Sequence, residues 1–384
     1  MSERILVGTR KGTFFVEKRG GAWTPRLVGH AGGCANFVAR DPARGTLWAA
    51  LGFGHWGAKM SRSTDGGETW EDAPQLAYPE GARYLAPPFP DEDGGSGVPV
   101  AKEATVQKLW CIAFSPSGRM YVGTIPGGLF ISEDGGESYE LCRGLWNHES
   151  RGGDLFEGEG TGHTHWFGTP ASEEFAPGLH SICVDPRDED RVLVAVSTAG
   201  VLETTDGGRT WRGRNAGMTN DYLPDPEAEW GHDPHCVVHC PRDPDRVWQQ
   251  NHCGVFFSSD GAATWRKVSR PDVGVHFGFP VAVDERDGDT AWVVPGRSDM
   301  QRITVDGSLF VGRTQDGGES WEALREGLPQ QNAYDVVYRH ALDIRGDVLA
   351  FGSTTGNFYV SEDRGESWSA IAHNLPPIYS VRFA

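Results

Sequence analysis

The chain is expected to be all-β, a single seven-bladed propeller over residues 1–384, and three observations predict this. The first is a turn signature, Ser63-Thr64-Asp65-Gly66-Gly67-Glu68-Thr69-Trp70, whose close relatives end at Tyr139, Trp211, Trp265, Trp321 and Trp368. Self-similarity at this length scale is the mark of a repeat architecture. The second is the series upstream of each signature: an apolar run closing near Asp-Pro, a second β-rich run, a glycine turn and a third run. The third is composition, since 52 Gly and 24 Pro suit many short strands joined by tight turns, while 14 Trp and 18 Phe supply a core.

Taken in order, blade one holds Ile5–Thr9 and Gly12–Glu17, then a degenerate turn at Arg19–Ala22 and Trp23. It has no first strand of its own. Blade two runs from Asn36–Pro42 through Leu47–Ala50 to Trp70, and blade three from Trp110–Pro116 through Met120–Gly123 to Tyr139. Blade four is the clearest: His180–Pro186, Val192–Thr198, the turn Ala199-Gly200, Val201–Thr204, and a fourth strand opening at Trp211. That is a four-stranded antiparallel meander, the unit of a propeller blade. Blade five runs from His235–Pro241 through Val247–Gln250 to Trp265, blade six from Phe279–Asp284 to Trp321, and blade seven from Tyr334–Val337 to Trp368. The C-terminal Pro377–Phe383 reads as an innermost strand with no blade after it. Assigning it to blade one pairs the chain ends and closes the ring, which removes exposed sheet edges.

The signature aspartates Asp65, Asp134, Asp206, Asp260, Asp316 and Asp363 are assigned a structural task. Each carboxylate can accept hydrogen bonds from its own loop while the glycines take positive φ. The Trp that follows is large enough to wedge between blades. A calcium loop would need a glutamate at its twelfth position, and none is present.

The signature resembles the Asp-box, or bacterial neuraminidase repeat, of sialidases, xyloglucan-cleaving glycosidases, the sortilin luminal domain and a photosystem II assembly factor. Longer strings at Val7–Gly12, Gly54–Gly57 and Gln249–Gly254 resemble bacterial proteins described as sialidase-like or YVTN/BNR-like repeat proteins. The resemblance implies a propeller. It implies less about reaction, because such relatives share a fold without sharing chemistry. The Phe-Arg-Ile-Pro-like motif that carries the first sialidase arginine is absent; Arg10 stands in Gly8-Thr9-Arg10-Lys11-Gly12 instead.

The formal charge of −18 argues against nucleic-acid or anionic-membrane partners, which demand a basic stripe. The N-terminus lacks the layout of a signal peptide and no apolar run approaches a membrane span, so a cytoplasmic address is expected. Seven scattered cysteines do not form a disulfide framework, and Cys111 and Cys183 read as small strand hydrophobes.

In a propeller the blade-to-blade loops and the turns between second and third strands emerge on one face, around the channel mouth. Insertions at 74–105, 143–178, 212–234 and 295–308 all fall there, where binding and catalysis concentrate. Aligning first strands on their closing Pro puts Asn36, Trp110, His180 and His235 at one equivalent position, while His55 and His252 occupy second-to-third-strand turns on the same face. His55, His180, His235 and His252 are therefore the candidate ligands for a divalent transition metal, Zn, Mn, Ni or Cu. Asn36, Trp56, Trp110, His232, Asn251 and His276 are candidate substrate contacts. No catalytic residue can be singled out. Three functions fit: a metal-dependent hydrolase or lyase for a small polar substrate, a sialidase-like glycoside hydrolase, or a non-catalytic scaffold. The second would draw an acid–base pair from Glu157, Glu159, Glu173, Glu174, Asp221, Asp225, Glu227, Glu229 and Asp233, with Trp56, Trp146, Trp166 and Trp230 stacking on sugar rings.

Overall fold

A computed structural model describes residues 4–86, 100–156, 158–166 and 176–384. It shows seven four-stranded antiparallel sheets arranged as the blades of a propeller. Glu157, Glu173 and Glu174 lie outside the described residues. No helix among the described residues is long and apolar enough to cross a membrane.

Alternation gives way to continuous apolar runs in the inner strands because both faces are covered by neighbouring blades. Leu47–Gly52, Met120–Ile125, Val192–Val196 and Ala291–Pro295 are buried over all or nearly all their length. The short fourth strands, such as Glu71–Asp72 and Arg266–Lys267, are exposed and charged. Charged, short edges of this kind resist pairing with other chains. Blade one closes as expected: Ile378–Phe383 pairs antiparallel with Arg4–Thr9, which pairs with Gly12–Arg19.

The six Asp turns share one geometry. At Asp65, Oδ1 accepts from Ser63 Oγ (2.8 Å), Glu68 N–H (3.0 Å) and Thr69 N–H (3.0 Å), and Oδ2 accepts from Thr69 Oγ1 (2.5 Å). Asp134 has the same four donors, and Asp206, Asp260, Asp316 and Asp363 share the two hydroxyl donors and the N–H four residues on. Both oxygens are consumed locally. The tryptophans do wedge between blades: Trp265 Nε1 donates to Arg214 O (2.7 Å) and Trp321 Nε1 to Val268 O (2.9 Å), each reaching the outer edge of the preceding blade.

Gly67 meets two constraints in this turn. Its φ is +92°, and a Cβ there would lie 2.6 Å from the buried Phe15 ring of blade one. Gly67→Ala is expected to lower stability by about 2–4 kcal/mol, summing left-handed strain and overpacking. Gly81 has φ +79° with open space around it, so Gly81→Ala should cost only about 1–2 kcal/mol. Urea unfolding of the two variants separates strain from clash.

Blade seven departs from expectation. Tyr334–Val337 is not a strand; the first strand is Leu342–Arg345, followed by Val348–Gly352 and Phe358–Ser361. Residues 325–341 are thus a further long connection on the insertion-bearing face, buried in part through Val336 and Val337.

Candidate functional site

The site begins with a backbone irregularity. In blades two to six the pairing of first and second strands skips one register step, at Ala35/Phe37, Leu109/Cys111, Leu179/Ser181, Pro234/Cys236 and Gly278/Val281. The skipped residues are Asn36, Trp110, His180, His235 and, in blade six, Phe279 with Pro280. In blade one the skip falls at Tyr379. Bulges re-aim side chains next to functional sites, and here they turn one side chain per blade toward the channel mouth.

These side chains meet. Trp110 and His180 lie edge to face at 5.3 Å, His235 stacks on Phe279 at 4.7 Å, Phe279 faces Tyr338 at 6.0 Å, and Tyr338 stacks on Tyr379 at 5.8 Å. Arg339 fills the middle. Its guanidinium carbon lies 4.9 Å from the Trp110 ring and 5.7 Å from Phe279, and its Nε donates to His235 O (2.8 Å). Below it, His340 Nε2 donates to His180 O (2.7 Å), above a central cavity of about 300 Å³ that includes Arg382 and Phe37.

One group of metal-ligating side chains stands out among the described residues: Asp233, His235 and His252, with ligand atoms all within 4.8 Å of one another. All three come from blade five. Pro234 pairs with Asn251, so Asp233 and His252 flank that pair across the two strands, and His252 N–H donates to Asp233 O (2.9 Å). Asp233 Oδ2 is 3.5 Å from His235 Nε2 and 3.6 Å from His252 Nδ1, while Oδ1 accepts from Thr198 N–H (3.2 Å). His235 Nδ1 donates to Gly278 O (2.6 Å). That bond orients the ring so that Nε2, the nitrogen a cation would take, faces the carboxylate.

Burial pushes the Asp233 carboxyl up, yet its contacts with His235 and His252 and the nearby Arg339 outweigh this and hold it well below the ordinary carboxylate range. His252 is raised by its contact with Asp233. His180 and His340 are lowered far from the usual imidazole value, first by burial and then by Arg339 and Arg382.

Of the four histidines expected to bind metal, two are therefore joined, by a carboxylate rather than by the other two. His180 is fully buried, with Nδ1 3.1 Å from Ser181 Oγ and Nε2 unpartnered among the described residues. His55 is exposed in the short turn Gly54–Trp56, against Trp56, and takes no part. Among the expected substrate contacts, Trp110 is at the mouth and Asn36 occupies its bulge, accepting from Cys34 Sγ at 3.4 Å. Trp56 is 76% exposed. Asn251 is buried, donating to Gln249 Oε1 (2.6 Å) and accepting from Cys253 N–H (2.9 Å), so it shapes the turn. His232 donates to Ala228 O (2.7 Å) and His276 to Arg297 O (3.0 Å), both within loops.

The lid aromatics are corrected as well. Trp146 and Trp166 are buried on either side of Arg151, 3.6 and 4.7 Å from its guanidinium, and form the core of an insertion instead of a sugar platform. Trp230 is half-buried against His148. Asp225, Glu227 and Glu229 are exposed, and Asp221 accepts from Cys253 Sγ at 3.1 Å. All seven cysteines are free.

No protein-family model matches the chain. It is 29% identical over 179 residues to an oligoxyloglucan-reducing end-specific xyloglucanase of Emericella nidulans, a match spanning 43% of the chain and 20% of the relative. It is 26% identical over 227 residues to a xyloglucanase of Paenibacillus sp, spanning 50% of the chain and again 20% of the relative. The matched region is thus one fifth of each curated relative's length. Among solved structures, an ancestral GH74 enzyme superposes with a TM-score of 0.54 at 15% identity, covering 91% of this chain and 38% of the other. Apo AztD from Citrobacter koseri superposes with a TM-score of 0.51 at 11% identity, covering 99% and 97%. At these identities the likeness is one of fold.

Proposed function

We propose that the chain is a propeller enzyme that cleaves carbohydrate or carbohydrate-derived substrates at the insertion-bearing mouth, with Asp233, His235 and His252 as its reacting centre around a divalent transition metal. The observation that carries the reading is the convergence of one carboxylate and two imidazoles on a single point of the insertion-bearing face. The substrate class follows from the partial likeness to two xyloglucanases.

Three ligands of this type suit Zn, Mn, Ni or Cu and leave positions for water and substrate. A metal so held would polarise a substrate oxygen or lower the pKa of bound water. The protein's own contribution is orientation. The Gly278 carbonyl fixes the His235 ring, and the Thr198 N–H fixes one Asp233 oxygen so that the other faces the histidines.

A second reading is metal-free glycoside hydrolysis, favoured by the same xyloglucanase likeness. Asp233, kept ionised, would serve as base or nucleophile, with Asp221 or Asp299, both electrostatic neighbours of His252, as acid.

Metal analysis of untagged protein, joined to assays on aryl glycosides and oligosaccharides with and without chelator, separates the two. The metal reading expects about one equivalent of metal per chain. Saturation at about a hundredfold above Kd should add about 2.7 kcal/mol of stability, and chelation should abolish turnover until metal is restored. Turnover by metal-free protein, lost on substituting Asp233 and a second acid, would establish the other mechanism.

A further inference from the structure

The mouth holds two cations at one aromatic ring. Lys108 Nζ lies 5.1 Å from the Trp110 ring and the Arg339 guanidinium carbon 4.9 Å from the same ring, so two cations share one indole. Among the described residues neither forms an ion pair with a carboxylate; the hydrogen bond of Arg339 goes to a backbone carbonyl. Arg151 and Arg382 likewise give their hydrogen bonds to backbone carbonyls, but neither shares its aromatic ring with a second cation. Arg191, Arg214, Arg313 and Arg364, all similarly shielded, each pair with at least one carboxylate. With 53 Asp and Glu against 35 Lys and Arg, acids are plentiful, yet among the described residues none pairs with these two. Asp233, the carboxylate that acts on Arg339, has its oxygens already engaged by Thr198, His235 and His252.

Burial and the neighbouring Arg339 bring Lys108 down to about 8, a cost of holding two cations at one ring. An anion bound beside the Trp110 ring, within reach of both side chains, would receive charge-assisted hydrogen bonds. Aromatic rings form the walls around that position, as suits the apolar face of a sugar ring.

We propose that Lys108 and Arg339 bind an anionic group of the substrate, a carboxylate or a phosphate ester, so that the enzyme takes acidic sugars in preference to neutral ones. The proposal rests on the mouth being the substrate site, and it is tested by binding without turnover. D-glucuronate, D-glucose 6-phosphate and D-glucose are titrated calorimetrically into the wild-type protein and the Lys108→Gln, Arg339→Gln and Asp233→Asn variants. One of the two anionic sugars should bind about tenfold or more tightly than glucose, the value of one charge-assisted contact. The stronger of the two identifies carboxylate or phosphate as the group. The preference should shrink at least severalfold in Lys108→Gln, whose half-buried side chain stands at the very start of its strand, and should persist in Asp233→Asn. Persistence there keeps the anion site distinct from the reacting centre, so loss of activity in Asp233→Asn with anion preference intact would not count against it. Equal binding of all three sugars, or a preference unchanged in Lys108→Gln, overturns the proposal.

Discussion

Asp233→Asn should lower kcat/KM by about three orders of magnitude, about 4 kcal/mol of transition-state stabilisation, while leaving the fold intact. The asparagine keeps an oxygen to accept from Thr198 N–H and keeps the volume of the carboxylate, so the local backbone has no reason to move. What it loses is the negative charge that His235 and His252 face at 3.5 and 3.6 Å. Metal affinity should fall at least about a hundredfold, since changes outside the ligand set alone cost 10–100-fold. His55→Ala is the matching control. Its ring is exposed and remote from the group, so metal content and kcat/KM should both stay at the wild-type level. Metal analysis and steady-state kinetics on the two variants, with circular dichroism to confirm folding, check the pair of outcomes.

That control also marks where the sequence runs out. Face assignment placed His55 and His252 together because both occupy turns between second and third strands. Turn length then separates them. In blade five the pairing Asn251 with Gly254 leaves a two-residue turn, which pins His252 against the start of the first strand. In blade two the pairing Gly52 with Ala58 leaves residues 53–57, a longer loop with its own helical turn that carries His55 out into solvent. Asp233 stood in the sequence only as one acid among nine on the insertions. Its burial and its pairing with two histidines emerge from the register between Pro234 and Asn251.

The alignment on closing prolines found the bulged positions without knowledge of the bulges, because a strand that ends at a fixed turn also begins at a fixed height. It failed in blade seven for the same reason. Gly346 stands where the other blades carry Pro or Glu, and the apolar run Tyr334–Val337 imitates a strand. Starting that blade too early hid Arg339 and His340, although His340 precedes Gly346 by the interval that separates His180 from Pro186. The repeat fixed the number and order of the blades, since six local hydrogen-bond sets specify the same turn independently of the rest of the chain.

Removal of residues 377–384 should abolish cooperative folding. Ile378 and Val381 are fully buried and Phe383 nearly so. At about 1.5–3 kcal/mol for each such side chain, their loss removes about 5–9 kcal/mol, comparable to the whole stability of an ordinary domain. The damage reaches both neighbours. Arg4–Thr9 loses its inner ladder, and blade seven loses the bridge between His340 and Ser380 together with the bonds from Val381 N–H and Arg382 to His340 O. The channel would open along the blade-one seam and expose a strand edge, which invites association with other chains. Circular dichroism melting and size-exclusion chromatography of the truncated chain should show a broad, low transition and soluble oligomers. A synthetic peptide of residues 377–384 added in trans should restore a sharp transition, because the missing element is a strand that pairs through backbone hydrogen bonds. A truncated chain that stays monomeric and melts at the wild-type temperature would mean that blade one is held by its neighbours and not by the joining of the chain ends.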